Sequence, residues 1–209
     1  MKKIINNTKI SAMGSLVMGI LLLYGCSSDD PQREDVPELI TKVTLTFTPA
    51  GGGTAVVATA TDPDGEGVQN LAADGEISLA FDKTYTLAIG LVNGLADPAD
   101  PAYDVTEEVR EEGVEHFFFF SWTNDVFSDP AGNGNMDNRD DAVNYSGGSD
   151  SKDVNGLPLG LTTTWTSAPA AASGTFRVVL KHQPGLKSAT SDSNTGETDT
   201  DVSFTIKIQ

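Results

Sequence analysis

Four segments of the chain alternate apolar and polar residues with a period of two. Their apolar positions are Val43, Leu45 and Phe47; Tyr85, Leu87, Ile89 and Leu91; Phe176, Val178 and Leu180; and Val202, Phe204, Ile206 and Ile208. A period of two is typical of a strand with one face in the core and the other in water. Residues 54–61 and 76–81 show a weaker form of the pattern. We therefore predict a half-buried strand in each segment.

The segment His116–Thr123 reads HFFFFSWT and is apolar on both faces. This composition favours a central strand over an edge strand, because both faces must be covered. With the alternating segments and the Gly-, Asn- and Asp-rich loops between them, it predicts an all-β, antiparallel β-sandwich of about seven or eight strands. Helix-capping residues in Asp104–Glu112, followed by Gly113, predict one short helix in a crossover.

The N-terminus has the three parts of a bacterial lipoprotein signal. Three lysines precede the apolar stretch Ala12–Tyr24, whose 13 residues are short for a membrane-spanning helix. The stretch ends in Leu23-Tyr24-Gly25-Cys26, which resembles the lipobox. We therefore predict that residues 1–25 are a signal peptide and that Cys26 is lipidated. The alternative is an uncleaved anchor with a free thiol.

The lipidated cysteine is followed by a predicted tether, residues 26–38, and by a single β-sandwich domain, residues 39–209. Residues 27–38 are polar, contain two prolines and lack an apolar period. The sequence Ser27-Ser28-Asp29-Asp30 resembles the surface-export signal of Bacteroidota lipoproteins. It favours the outer face of the outer membrane, with the periplasmic face as the alternative.

Charge and composition exclude several functions. The chain has 30 acidic and 13 basic residues, and three of the lysines lie in the signal. Nucleic acid is excluded as a partner, because phosphate contacts need clustered Lys and Arg. One Cys and two His exclude a disulfide framework, a Cys zinc site, a CxxC redox pair and a His-rich site. GxSxG, HExxH and a glycine-rich phosphate loop are missing from the sequence, so we expect no enzyme.

Two acidic loops are candidate calcium sites. In the first, Asp62, Asp64 and Glu66 occupy positions 1, 3 and 5 of a calcium-loop pattern, whose twelfth position is Ala73. A hairpin turn is the alternative, since Asp-Gly is common in tight turns. The second lies in the long loop Asp125–Asn155, and its oxygen-bearing residues are Asp129, Asn133, Asn135, Asp137, Asp140 and Asp141. A bound cation would order this stretch, and a solvated, mobile loop is the alternative.

The two histidines stand at the ends of predicted strands. His116 begins the Phe-rich segment and His182 ends the Phe176 segment, so antiparallel pairing would bring both rings to one end of the sheet. Together with Glu115 and the acids before it, they could hold zinc or another transition metal, or face a haem. The alternative is a pair of surface histidines whose protonation the acids favour.

Aromatic residues are a further candidate site. Phe117–Phe120, Trp122 and Trp165 could form a carbohydrate platform if they were exposed. Strand alternation favours the core for most of them, while Trp165 fits either location.

Several segments carry a resemblance to a known group of proteins. They are Val105–Glu108, Glu115–Phe119, Phe127–Pro130, Asn155–Leu161 and Thr175–Thr190. From Leu39 to the C-terminus the chain resembles small all-β outer-membrane lipoproteins of Bacteroidota, of the flavobacterial type. The resemblance implies an association with outer-membrane uptake systems and TonB-dependent receptors, and it implies no catalytic or binding residue.

Taken together, these expectations describe a lipid-anchored, surface-exposed, non-catalytic binding or accessory lipoprotein of the outer membrane. We expect a link to nutrient uptake, calcium-stabilised loops, and a TonB-dependent receptor or another surface protein as partner. The alternative is a structural or adhesive surface protein without a small-molecule ligand. A hydrolase that uses acidic residues comes third.

Overall fold

Ten strands form two sheets in the computed structural model, which describes residues 38–65 and 71–209. The strands are β1 (Lys42–Pro49), β2 (Val56–Thr61), β3 (Ala72–Ala73), β4 (Glu76–Leu79), β5 (Thr84–Val92), β6 (His116–Trp122), β7 (Phe127–Asp129), β8 (Thr162–Ser167), β9 (Ala172–His182) and β10 (Glu197–Ile208). The helix α1 covers Val105–Glu111, and Pro101–Tyr103 and Ser149–Ser151 are short 3-10 helices. One sheet has the order β3-β2-β1-β5-β8-β7 and the other β4-β10-β9-β6.

The two sheets pack face to face around the predicted apolar positions. Every apolar residue of the four alternating segments is buried. Rings from opposite sheets meet in this core: the centroid of Phe47 in β1 lies 6.0 Å from that of Phe176 in β9. The predicted all-β sandwich is therefore confirmed. The strands that the alternation did not predict are β3, β7 and β8.

One strand pair departs from the predicted antiparallel arrangement. β4 runs parallel to β10, with Ile77 opposite Ile206. Both side chains are buried, so the pair extends the core at this edge of the four-stranded sheet.

The Phe-rich strand β6 is an edge strand, which corrects the predicted central position. Its outer edge is bonded by irregular chain: the Trp122 N–H donates to the Asn133 carbonyl at 3.0 Å. Two residues further along the loop, the Asn135 N–H donates to the Phe120 carbonyl at 2.9 Å. These bonds satisfy backbone groups that a neighbouring strand would otherwise satisfy.

The outward face of β6 is covered by basic side chains from loops. Phe117 and Phe119 are buried although they point away from the core. The Arg139 guanidinium lies 4.7 Å from the centroid of the Phe117 ring, and the Lys187 Nζ lies 5.7 Å from it. Loops and cations therefore give an edge strand the burial pattern of a central one.

The helix α1 crosses one end of the sandwich, as predicted. The Asp104 carboxylate caps it by accepting a hydrogen bond from the Glu107 N–H at 3.3 Å. Thr106 ties it to the end of β5, because its hydroxyl accepts from the Leu91 N–H at 2.8 Å. The chain then passes through Glu112 and Gly113 into β6, so the acids at the end of α1 stand directly before His116.

Several predictions fall on residues that the structure does not describe. The signal peptide, Cys26 and the tether up to residue 37 lie outside the described residues, as does Glu66. None of the helices in residues 38–65 and 71–209 has the length and apolar character to cross a membrane.

Candidate functional site

The two histidines are direct neighbours across β6 and β9. His116 is paired with His182 in antiparallel register. Their imidazole rings stack with centroids 4.6 Å apart and planes 7° from parallel. Both rings are on the strand faces that point into the sandwich, and His116 is 0% and His182 7% exposed. The predicted meeting of the histidines at one end of the sheet is confirmed, and the alternative of two surface histidines is wrong.

One histidine has a defined orientation. The Nδ1 of His116 lies 3.2 Å from the Glu112 carbonyl oxygen, which can only accept, so Nδ1 carries the hydrogen and donates it. Burial, followed by the charges of His182 and Lys187, lowers the pKa of His116 to about 3. The ring is therefore neutral near pH 7, and its Nε2 holds a lone pair.

The two Nε2 atoms are buried and have no hydrogen-bond partner among the described residues. Carboxylate oxygens approach them without forming hydrogen bonds. Asp199 Oδ2 lies 3.7 Å from His116 Nε2, and Glu115 Oε2 lies 3.5 Å from His182 Nε2. Two imidazole nitrogens without hydrogen-bond partners among the described residues thus face one acidic corner of the sandwich. Because the rings stack directly, a haem does not fit between them.

Asp199 reaches this corner through a β-bulge. The register of β10 on β9 shifts between Thr198 and Thr200, which leaves Asp199 as the extra residue. A bulge redirects a side chain, and here the carboxylate is fully buried. Its Oδ1 accepts from the Glu38 N–H at 3.4 Å, and its Oδ2 has no hydrogen-bond partner within the described part of the chain. Burial raises the pKa of Asp199 to about 6.

Acids from the N-terminal end of the domain and from α1 complete the corner. Glu112, His116 and His182 each place one ligand atom so that all three lie within 4.8 Å of one another. A second group of the same size consists of Glu38, Glu108 and Glu112. Glu112 is shared by both groups, and Glu115, which the sequence suggested, belongs to neither. The arrangement combines imidazole nitrogen with carboxylate oxygen, the donor set of transition-metal sites.

The first calcium candidate forms a turn at the end of β2. Asp62 Oδ1 accepts hydrogen bonds from the backbone N–H of Asp64 at 3.3 Å and of Gly65 at 3.0 Å. The Asp64 side chain is the largest cause of the lowered pKa of Asp62. This is the Asx-turn geometry that the hairpin alternative predicts. Calcium at Asp62 stays a prediction.

The second calcium candidate has more structure than the predicted loop. Residues 125–155 contain β7 and a 3-10 helix. Asn135 is buried, its Oδ1 accepts from the Phe120 N–H at 3.1 Å, and its Nδ2 donates to the Tyr145 hydroxyl at 2.8 Å. We therefore assign Asn135 to the attachment of the loop to β6 and not to cation binding.

Three acids of this loop accept hydrogen bonds from its asparagines. Asp137 accepts from Asn133 at 3.3 Å, Asp129 from Asn144 at 3.1 Å, and Asp141 from Asn138 at 2.8 Å. The Asp140 N–H donates to the Asn138 side chain at 3.2 Å. Across residues 38–65 and 71–209, three or more His, Asp or Glu ligand atoms converge only at the histidine corner. Calcium in the second loop also stays a prediction.

The aromatic residues belong to buried regions. Phe117–Phe120, Trp122 and Trp165 are all buried, so a carbohydrate platform is excluded for them. The predicted core location is confirmed for most of them, namely Phe118, Phe120, Trp122 and Trp165. Trp165 packs edge-on against Trp122 at 5.2 Å between ring centroids, and its Nε1 donates to the Thr163 hydroxyl at 2.7 Å.

The opposite pKa shifts of His116 and Asp199 determine how the corner responds to pH. The pKa of His116 is lowered to about 3, so this group favours the fold above its unfolded pKa of about 6.5 and opposes it increasingly below. The pKa of Asp199 is raised to about 6, so this group favours the fold below its unfolded pKa of about 3.9 and loses that effect as the pH rises through 6. Between about pH 4 and 6 the effects cancel, because the folded and unfolded pairs each hold one proton.

We expect Asp199→Asn to remove this compensation. The variant should lose up to about 1.4 kcal/mol of unfolding free energy per pH unit, relative to wild type, between about pH 6 and 4. In His116→Gln the unfolding free energy should instead rise as the pH falls, because the Asp199 carboxyl is then the only titrating group of the pair. Urea unfolding of both variants in buffer with a metal chelator measures these slopes. Slopes equal to that of the wild type would contradict the assignment.

Comparison with protein-family models, with curated proteins and with solved structures found no match to this chain. The resemblance to Bacteroidota lipoproteins therefore stays a prediction. The histidine corner has to be interpreted from its own geometry.

Proposed function

We propose that this chain is a lipid-anchored, non-catalytic binding module of the outer membrane, displayed on the cell surface. It serves a nutrient-uptake system together with a TonB-dependent receptor or another surface protein. Anchoring is supported by the signal that ends at Cys26 and by the polar tether behind it. The domain after the tether is then free to reach a partner or ligand at the membrane surface.

The single observation that carries a binding role is the buried histidine corner. A purely structural or adhesive sandwich gains nothing from two buried imidazole nitrogens and a buried carboxylate oxygen that have no hydrogen-bond partner among the described residues. Each such group lowers stability by about 1–3 kcal/mol. Groups that are costly to the fold and converge at one place are typical of a ligand site. The acidic surface elsewhere keeps the protein soluble and repels nonspecific contacts.

Anchoring and partner are tested in cells of a Bacteroidota host. The full chain should incorporate labelled fatty acid and fractionate with the outer membrane, whereas Cys26→Ser should lose the label. Protease added to intact cells should degrade the wild-type domain. Unlabelled wild type, or a domain protected from protease, would contradict the proposed anchor or the surface location.

A pull-down from outer membranes separates the binding role from the adhesive alternative. Stoichiometric recovery of a TonB-dependent receptor supports the accessory role. Recovery of matrix glycans or of other cells' surface proteins in its place supports the adhesive protein and contradicts the proposal.

Calcium in the Asp62 turn belongs to the same proposal as a stabilising ion. A ligand that binds only the folded state raises its stability. We expect the thermal midpoint of the wild type to be higher in calcium than in a chelator, and Asp62→Asn to abolish the difference. Equal midpoints for the wild type would contradict a calcium-stabilised turn.

A further inference from the structure

We propose that the histidine corner binds one divalent transition-metal ion through His116, His182 and Glu112, with the buried carboxylate of Asp199 beside His116 as an additional negative charge. This inference rests on the proposed binding role and names the ligand of that site. It assigns two residues, Glu112 and Asp199, that lie on elements other than those of the histidines.

The spacing of the donor atoms suits a metal ion. The ligand atoms of Glu112, His116 and His182 all lie within 4.8 Å of one another, and Asp199 Oδ2 lies 3.7 Å from His116 Nε2. Ligand atoms around tetrahedral zinc are about 3.3 Å apart, given bonds of about 2.0–2.1 Å. Metal binding would draw these atoms together by up to about 1.5 Å. The two strands that carry the histidines are already paired in register.

The hydrogen-bond pattern of His116 is that of a metal ligand. Such a histidine donates one ring N–H to a backbone carbonyl or carboxylate, and this fixes the other nitrogen as the donor to the metal. His116 does so through Nδ1 and the carbonyl of Glu112, the residue whose carboxylate is itself a proposed ligand. One short segment therefore supplies both a ligand and the group that orients another ligand.

Three buried atoms at this corner have no hydrogen bond in the described part of the chain. They are His116 Nε2, His182 Nε2 and Asp199 Oδ2. A proton shared between His116 and Asp199 would satisfy two of the three and leave His182 unsatisfied. A divalent cation held by the two histidines would satisfy both imidazole nitrogens, which one shared proton cannot do, so the geometry favours a metal over a proton.

The donor types and the local charge determine the class of metal. Imidazole nitrogen with carboxylate oxygen suits zinc, copper, nickel and iron, whereas calcium requires oxygen donors alone. Glu38, Glu108 and Glu115 add negative charge around the ligands. The positive charge of the nearby Lys187 is offset by the buried Asp153 carboxylate, which lies 2.9 Å from its Nζ.

The test is a zinc titration of the purified full chain in detergent, in competition with a chromophoric chelator. The wild type should bind one zinc per chain. His116→Gln and His182→Gln should each weaken zinc binding by at least about a hundredfold. Glu112→Gln and Asp199→Asn should each weaken it by at least about tenfold, because replacing even a residue that only contacts a ligand lowers metal affinity by about tenfold to a hundredfold. Glu76→Gln is the matched control, because it removes an exposed carboxylate on β4. It should bind zinc like the wild type.

A second readout separates lost ligands from lost folding. Each variant should keep the circular dichroism of the wild type, and cobalt should give a visible d–d spectrum with the wild type but not with either histidine variant. Absence of stoichiometric zinc in the wild type, or equal affinity in wild type and His182→Gln, overturns the metal site. Acylation and receptor recovery are measured without metal, so failure there contradicts the proposed function and leaves the zinc result standing.

Discussion

Replacing Lys187 with alanine should lower the free energy of unfolding by about 3–5 kcal/mol, the range expected when one partner of a buried ion pair is removed. The Lys187 Nζ lies 2.9 Å from Asp153 Oδ2, and both side chains are 1% exposed. It also donates to the carbonyls of Gly113 at 2.6 Å and of His116 at 2.8 Å. Without it, a buried carboxylate and two carbonyls lose their partner together.

Urea unfolding of the full chain, followed by circular dichroism, measures this loss. Lys207→Ala is the matched control, because the pair between Lys207 and Glu76 is about half exposed, with side-chain exposures of 44% and 45%. The control should lose less than about 1 kcal/mol. The double variant Lys187→Met with Asp153→Leu should recover much of the loss, since it leaves no buried charge. Equal losses for Lys187→Ala and Lys207→Ala would contradict the buried pair.

Trp165→Ala should destabilise the fold by about 3–5 kcal/mol, as is usual for a large aromatic residue removed from a core. Trp165 is 0% exposed and belongs to β8 in the six-stranded sheet. Its ring contacts the other sheet through Phe120 at 5.4 Å and Phe176 at 5.1 Å between centroids. The substitution therefore opens a cavity between the two layers.

The control for Trp165 is Phe81→Ala, because Phe81 is 54% exposed. We expect this control to stay within about 0.5 kcal/mol of the wild type. The measurement is again urea unfolding by circular dichroism. A Trp165→Ala variant as stable as Phe81→Ala would contradict the burial of the indole in the core and would favour Trp165 as part of a carbohydrate platform.

The strands that the sequence predicted most clearly carry a large apolar residue at every second position of the alternating segments. This alternation is visible in β1, β5, β9 and β10. It failed for β8, whose sequence TTTWTS has a single large apolar residue, so the buried Thr163 and Ser167 look like loop residues. It also misplaced β6, because loops cover an edge that the pattern cannot distinguish from a neighbouring strand.

The candidate site was half visible in the sequence. The histidines lie at the ends of two recognisable strands, so antiparallel pairing sufficed to bring them together. Asp199 was not foreseeable, because the alternation of β10 places odd-numbered residues such as Asp201 and Ser203 outward, and only the bulge reverses Asp199. The sequence placed Glu111, Glu112 and Glu115 near His116, because they precede it directly, and Glu115 was the acid named as a ligand. The structure shows that Glu112, four residues earlier, reaches both rings.

Histidine side chains provide the most direct test of the central claim, that the buried pair is the ligand site. The chain has two histidines, so labelling with ¹⁵N-histidine reports on these two rings alone. Zinc is added stepwise to the full chain in detergent while the imidazole nitrogens are followed by NMR. We predict that the signals of His116 and His182 change together and that the change is complete at one equivalent of zinc. Rings that do not respond, or a response of one ring without the other, would contradict the site.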